Sequence, residues 1–195
     1  MNHLFIHIPK TAGLSIYKAL NEKIGMTQYL NPGEFSGEGH ATFGHISIKS
    51  LIQEGIITGE YWKDCNPFTV VRNPYNRSVS LWKYFTASRK LTLETTLFQF
   101  LSSISVQDCR PGYYNVYNFN QCAPQVDWIV NGTKIYRFTN LKELENDFDI
   151  ELEHINKGRT IEQDHMDYHD ERTINLVNMI YRKDFVMLGY TMINP

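Results

Sequence analysis

The chain has 195 residues, a length that one domain can fill while burying well over half of its unfolded surface. Its content of 42% hydrophobic and 21% charged residues is ordinary for a globular protein. A net charge of −2 argues against a broad nucleic-acid footprint, so any anion site has to be local.

From the N-terminus, His3 to Ile8 reads as a short apolar strand ended by Pro9. Ser15 to Ile24 carries Ile16, Ala19, Leu20 and Ile24 at helical spacing, with Gly25 as its stop. Residues 30–45 hold Gly33, Gly37, Gly39 and Gly44 and read as a loop. A short helix is predicted over Ser47 to Gln53, stopped at Gly55. Pro67 introduces a β-branched buried strand from Phe68 to Arg72, Asn73-Pro74 makes a turn, and YNRSVSLWKYF reads as a helix with Val79, Trp82 and Phe85 inward. Leu93 to Leu101 reads as helical, and residues 108–125 as an irregular, aromatic-rich stretch. Lys134 to Phe138 is a further strand, followed by a helix from Leu141 with Asn140 as its N-cap. A last helix is expected from Glu171 to Lys183, with Ile174, Val177, Ile180 and Tyr181 on one side. Strands alternating with helices, without repeats or linkers, predict a single α/β domain over residues 1–195 with a mainly parallel central sheet.

Cys65, Cys109 and Cys122 form neither a CxxC pair nor a disulfide framework. No signal peptide or membrane span is visible, and a cytoplasmic location is the simplest expectation. Sequons occur at Asn76 and Asn131, the first inside a helix expected to face a ligand, where a glycan would be ruinous.

Two stretches carry chemistry. In FIHIPKTAGLSIYKAL a strand breaks into a Gly-containing turn and then a helix, which aims backbone N–H groups and the positive helix end at one point. Gly13 would let the backbone approach an anion, Lys10 would add a mobile charge, and Thr11 and Ser15 would add hydroxyl donors. In TVVRNPYNRSVSLW, Arg72 stands at a strand end and Ser80 lies about one and a half turns into the following helix. An arginine fork and a serine hydroxyl can close on one oxyanion. Two such turns at the C-terminal ends of strands suit a ligand with phosphates at both ends, in the usual ligand position of open α/β sheets.

Together HIPKTAG-x-S and TVVRNPYNRSVSLW resemble the signature of the sulfotransferases, in particular the branch of heparan sulfate 2-O-sulfotransferase and its bacterial relatives. KIYRFTNLKELENDF, INKGRT and YHDERTINLVNMIYRKDFVMLGY look like later pieces of the same family, so the resemblance spans most of the chain. It implies a P-loop-like three-layer fold and 3′-phosphoadenosine 5′-phosphosulfate (PAPS) as sulfate donor, with no metal. By position, Lys10, Thr11, Ala12, Gly13, Leu14 and Ser15 would hold the 5′ end, Arg72 and Ser80 the 3′-phosphate, and Lys157 and Arg159 of INKGRT would fold over the nucleotide. Two positions depart from the pattern. Leu14 stands where the family often has Thr, and Thr139 stands where it often has Glu.

Sulfuryl transfer to a hydroxyl needs in-line geometry, charge stabilisation and a base. Lys10 and the helix N-terminus would bear the charge of the leaving group. The candidate base is His45 in TFGHISI, expected to open a short helix, since imidazole has an ordinary pKa of about 6.5. The resembled branch has a Gly-His at this place, and its histidine acts on the acceptor. The acceptor would be a hydroxyl, in the resembled branch a carbohydrate. GYYNVYNFNQ, residues 112–121, could stack on sugar rings or be satellite core. His165 and His169 are spaced i, i+4, but with no third ligand they read as a solvated face and not as a metal site. Two other functions stay open: a kinase-like phosphotransferase, against which the absence of GxxxxGK[ST] weighs, and a nucleotide-binding module without turnover.

Overall fold

A computed structural model describes residues 1–88, 90–105, 120–153 and 163–195. In chain order the strands are β1 (Asn2–Ile6), β2 (Thr27–Tyr29), β3 (Ala41–Phe43), β4 (Cys65–Val71) and β5 (Lys134–Arg137). The helices are α1 (Gly13–Ile24), α2 (Ile48–Gln53), α3 (Gly59–Asp64), α4 (Pro74–Ala87), α5 (Leu97–Ser105), α6 (Leu141–Phe148), α7 (Gln163–Met166), α8 (Glu171–Ile180) and α9 (Arg182–Leu188). The fold is α/β, with an all-parallel five-stranded sheet in the order β2-β3-β1-β4-β5, flanked by helices. The residues gather into two compact units, Met1–Val71 with Asp127–Asn156, and Arg72–Val126 with Lys157–Pro195.

The first unit holds the whole sheet. β1 is paired on both edges, Leu4 with Ala41 on one side and with Pro67 on the other. Leu4, Phe5 and Ile6 are accordingly all buried, as in a doubly covered parallel strand. Pro67 is tolerated inside β4 because pairing with β5 begins only at Phe68. Phe5, Phe68, Val70 and Tyr136 from the sheet pack with Ile16 and Leu20 of α1 and Leu144 of α6. Each such side chain fully withdrawn from water stabilises by roughly 1.5–3 kcal/mol. Two buried threonines on the neighbouring strands steady the end of β1, Thr42 Oγ1 donating to Phe5 O at 2.8 Å and Thr69 Oγ1 to Ile6 O at 2.8 Å. α1 stops as predicted at Gly25, whose φ of 69° suits the left-handed cap that glycine takes without a Cβ clash.

In the second unit, Asn73 caps α4 by accepting from Tyr75 N at 2.9 Å, and Pro74 follows at the first helical position. Val79 and Phe85 of α4 are buried among Phe100, Leu101, Val177 and Phe185, with Trp82 half-buried against them. Asn76 is 4% exposed within α4, which leaves its sequon no room for a glycan.

Several boundaries differ from the sequence reading. Residues 30–45 are not all loop, since they contain β3 and a short turn of 3₁₀-helix at Pro32–Glu34, and β2 and α3 were not foreseen. The helix expected from Leu93 begins at Leu97, because Thr96 and Gln99 form a reciprocal cap. Gln99 N donates to Thr96 Oγ1 at 3.2 Å, and Thr96 N donates to Gln99 Oε1 at 2.9 Å. The last helix is two, α8 and α9, broken at Tyr181, whose buried hydroxyl donates to Cys122 O at 3.1 Å. Asn140 precedes α6 without a side-chain cap bond.

Candidate functional site

Past Ile6 the chain of the first unit turns through residues 7–12 into α1. Lys10 (φ 70°) and Ala12 (φ 68°) are left-handed, and Thr11 between them is not. Left-handed residues in a turn of this kind are a means of aiming backbone N–H groups into one concavity, as in an anion nest. A non-glycine residue in this region costs on the order of 1 kcal/mol, so two in three residues mark a strained turn. α1 starts there with Ala12 as N-cap, and among the described residues no side chain caps it and no acid lies in its first turn. Its leading N–H groups and positive dipole end are thus directed at the turn.

The individual residues refine the expectation. Thr11 is fully buried and its hydroxyl donates to Ile8 O at 2.9 Å, so that proton is used within the turn. Leu14 is 54% exposed on the first turn of α1, and Ser15 is half-buried. Gly13 has a requirement that the sequence does not disclose. A Cβ at this position would meet Nε2 of His7 at 1.9 Å and Cδ2 at 2.0 Å, so a glycine leaves the space that the imidazole fills.

His7 and His45 form a pair. Their ring centroids are 4.4 Å apart at 62°, and His45 Nδ1 lies 3.0 Å from the carbonyl oxygen of His7. A carbonyl only accepts, so Nδ1 of His45 is the donor, and in the neutral imidazole the lone pair then sits on Nε2, the tautomer that a general base requires. His45 does not open the helix. It stands two residues ahead of Ser47, which caps α2, and it holds φ at 57°, a strained conformation for histidine. His7 is 8% exposed, and among the described residues nothing hydrogen-bonds its Nδ1. Burial, and then the charges of His45 and Lys10, push its pKa down to about 3, so it is neutral in ordinary conditions.

Ser15 also borders an open groove of about 250 Å³ along α1, where Glu22, Glu151 and Glu153 meet Lys18. Three carboxylates there repel an anion, which separates this groove from the turn in chemical character.

The second unit contains the other motif. Arg72 follows directly on β4 and is 4% exposed. Gln125 brackets its backbone, since Arg72 N donates to Gln125 Oε1 at 2.8 Å and Gln125 Nε2 donates to Arg72 O at 2.8 Å. Asp184 holds Gln125 in turn, accepting from its backbone N at 2.9 Å and its Nε2 at 3.2 Å, and from Val126 N at 3.0 Å. Burial raises the Asp184 carboxyl, against the pull of Arg77 and these donors. The Arg72 fork donates through Nη2 to His165 Nδ1 at 3.2 Å. His165 is only 9% exposed, and His169 Nε2 donates to Tyr75 O at 3.2 Å, so these two histidines are not solvated as expected, while Asp167 and Tyr168 between them are exposed. Ser80 is half-buried on α4. Arg77 is fully buried, donates to Ala123 O at 3.0 Å and Gln121 O at 3.1 Å, and is therefore structural.

Lys157 and Arg159 lie outside the described residues, as do Cys109 and residues 112–119 of the aromatic run. Sequence pattern alone does not single out His7, Gln125 or Asp184. The glycine six residues after His7 was the one local signal for any of them. Among the described residues no group of three or more His, Cys, Asp or Glu could hold a metal, and no helix is long and apolar enough to cross a membrane. Compared with models of protein families and with curated proteins, the chain matches none of them.

Proposed function

We propose that this chain is a PAPS-dependent sulfotransferase acting on a hydroxyl acceptor, a carbohydrate in the resembled branch, in a reducing compartment such as the cytoplasm. The observation that carries the reading is the Lys10–Gly13 turn at an uncapped helix start, with a histidine of base-competent tautomer in the same unit. The backbone from Thr11 to Ser15 would receive the 5′-phosphosulfate, with Lys10 beside it, and Arg72 with Ser80 would receive the 3′-phosphate. Thr11 would contribute its backbone N–H, because its hydroxyl serves Ile8. Lys157 and Arg159 would close over the nucleotide. A buried free thiol at Cys65, raised to about 11, suits a reducing environment.

Bound PAPS would supply the sulfuryl group, with 3′-phosphoadenosine 5′-phosphate (PAP) as the leaving group. His45 Nε2 would take the proton of the acceptor hydroxyl. Lys10 and the N-terminus of α1 stabilise the charge that grows on the departing phosphate oxygen. The reading needs no metal.

Calorimetric titration with PAP, and separately with ATP and Mg²⁺, tests the donor, and sulfate transfer over a glycan panel tests the reaction. PAP binds and ATP with Mg²⁺ does not in the expected result; tight ATP binding without a response to PAP overturns the proposal. His45→Ala should lower transfer by about 10²- to 10⁴-fold with PAP affinity unchanged, as removal of a general base does. A parallel loss of both would remove His45 from the base role.

A further inference from the structure

We propose that the imidazole of His7 is itself a ligand of the anion in the Lys10–Ser15 turn, donating a neutral N–H from Nε2. The inference rests on the reading of that turn as an anion site and adds a donor that the motif does not announce.

Four facts place the donor. His7 is more than nine-tenths buried, between the end of β1 and the start of α1. Its Nε2 and Cδ2 occupy the space of a side chain at Gly13, the first residue of α1, so this edge of the ring lies against the uncapped helix start. Its other nitrogen, Nδ1, is sealed from solvent without a hydrogen-bond partner among the described residues. Phe5 stacks on the ring at 5.5 Å and 17°, and His45 packs against it at 62°, so it is wedged in this orientation.

The tautomer follows from cost. A buried N–H with no acceptor forfeits about 1–3 kcal/mol, and orphaned donors are rarer in proteins than orphaned acceptors. The proton therefore belongs on Nε2, and the sealed Nδ1 keeps only a lone pair. His169 shows the same arrangement, its Nε2–H donating to Tyr75 O while its buried Nδ1 has no partner among the described residues. A neutral donor also fits the place. Lys10 already brings a full charge, and a second cation beside it and His45 would be opposed by burial and by both neighbours. A neutral N–H contributes a directional bond without that penalty, and the backbone carbonyl of His7 meanwhile orients His45. One residue thus serves the anion through its ring and the base through its main chain.

The test has two arms. In histidine-labelled wild-type protein, nitrogen NMR identifies the tautomer of His7 and its response to inorganic pyrophosphate and to PAP. The expected result is a neutral Nε2–H form whose Nε2 signal moves on adding either anion. A proton on Nδ1, or a signal that neither anion moves, overturns the proposal. In the second arm, PAP is compared with adenosine 3′-monophosphate, which lacks the 5′-phosphate, in His7→Leu and His7→Gln. His7→Leu should weaken PAP by about tenfold or more, the worth of a hydrogen bond to a charged group, and leave the 3′-monophosphate within about twofold. His7→Gln, which keeps an N–H at similar reach, should retain PAP within about threefold. Equal weakening of both nucleotides in His7→Leu would make the role structural and sink the donor assignment. Wild-type protein that holds pyrophosphate through His7 but ignores PAP would end the sulfotransferase reading and leave His7 as an anion ligand.

Discussion

Replacing Gly13 by alanine sets two effects of opposite sign against each other. At the first position of α1, outside the left-handed region, alanine would ordinarily favour the helix by up to about 1 kcal/mol. Its Cβ would fall 1.9 Å from His7 Nε2, however, and the ring is flanked by Phe5 and His45. Overpacking of this kind costs about 1–3 kcal/mol, so the clash wins and Gly13→Ala should destabilise. With the ring removed by His7→Ala, the same substitution should become neutral or stabilising. A double-mutant cycle by denaturant unfolding measures this coupling, and additive effects would mean that Gly13 answers to something else. The shifted pKa of His7 gives a second prediction. The folded chain leaves it neutral down to about 3, against 6.5 in the unfolded chain. The unfolded state therefore binds the extra proton between those values. The contribution is complete above pH 6.5 and is lost as pH falls toward 3, at up to about 1.4 kcal/mol per unit. Burial lowers His3 and His169 as well, which steepens the fall in the same direction. His7→Gln should flatten the stability-versus-pH curve over this range, and an unchanged slope would contradict a neutral buried His7.

At the scale of elements, local side-chain chemistry decides where helices begin. Asp170 caps α8 by accepting from Thr173 N at 2.9 Å, while Thr173 Oγ1 accepts from Asp170 N at 2.7 Å. That backbone donor, with Arg172, holds the Asp170 carboxyl down to about 2. Asp170→Ala should cost about 1 kcal/mol, seen as a lower denaturant midpoint at unchanged m-value, and no change would mean that packing of Val177 alone fixes the helix. Capping residues of this sort are written into the sequence, which is why Gly25, Asn73-Pro74 and Ser47 were legible as boundaries. β2 and β3 were not, because three residues are too few to show a period and β3 is buried at every position. Nor could periodicity reveal the break at Tyr181. It lies where the ring passes under the Arg77 guanidinium at 5.7 Å and the hydroxyl reaches Cys122, contacts made by residues far away in the chain.

The same division between local and distant causes governs the whole molecule. The anion turn was readable because Lys10, Thr11 and Gly13 are sequence neighbours, whereas the support of Arg72 comes from Gln125 and Asp184, the latter 59 residues beyond Gln125. Each compact unit is likewise assembled from two separated stretches of chain. The first core combines Phe5, Ile16 and Phe68 with Tyr136, Leu144 and Leu152, and the second combines Tyr75, Val79 and Phe100 with Val177, Tyr181 and Phe185. A fragment ending at Val126 would lose three large buried side chains from each core, together with β5 and α6. At roughly 1.5–3 kcal/mol per side chain, each core would lose several kcal/mol, against a typical total stability of about 5–15 kcal/mol. The fragment Met1–Val126 should therefore show collapsed amide dispersion and no cooperative thermal transition, although it contains every described residue assigned to the anion and to the base. A fragment that melted cooperatively and still bound PAP would show that the first stretch of each unit folds by itself, and would overturn the dependence of the site on residues beyond 126.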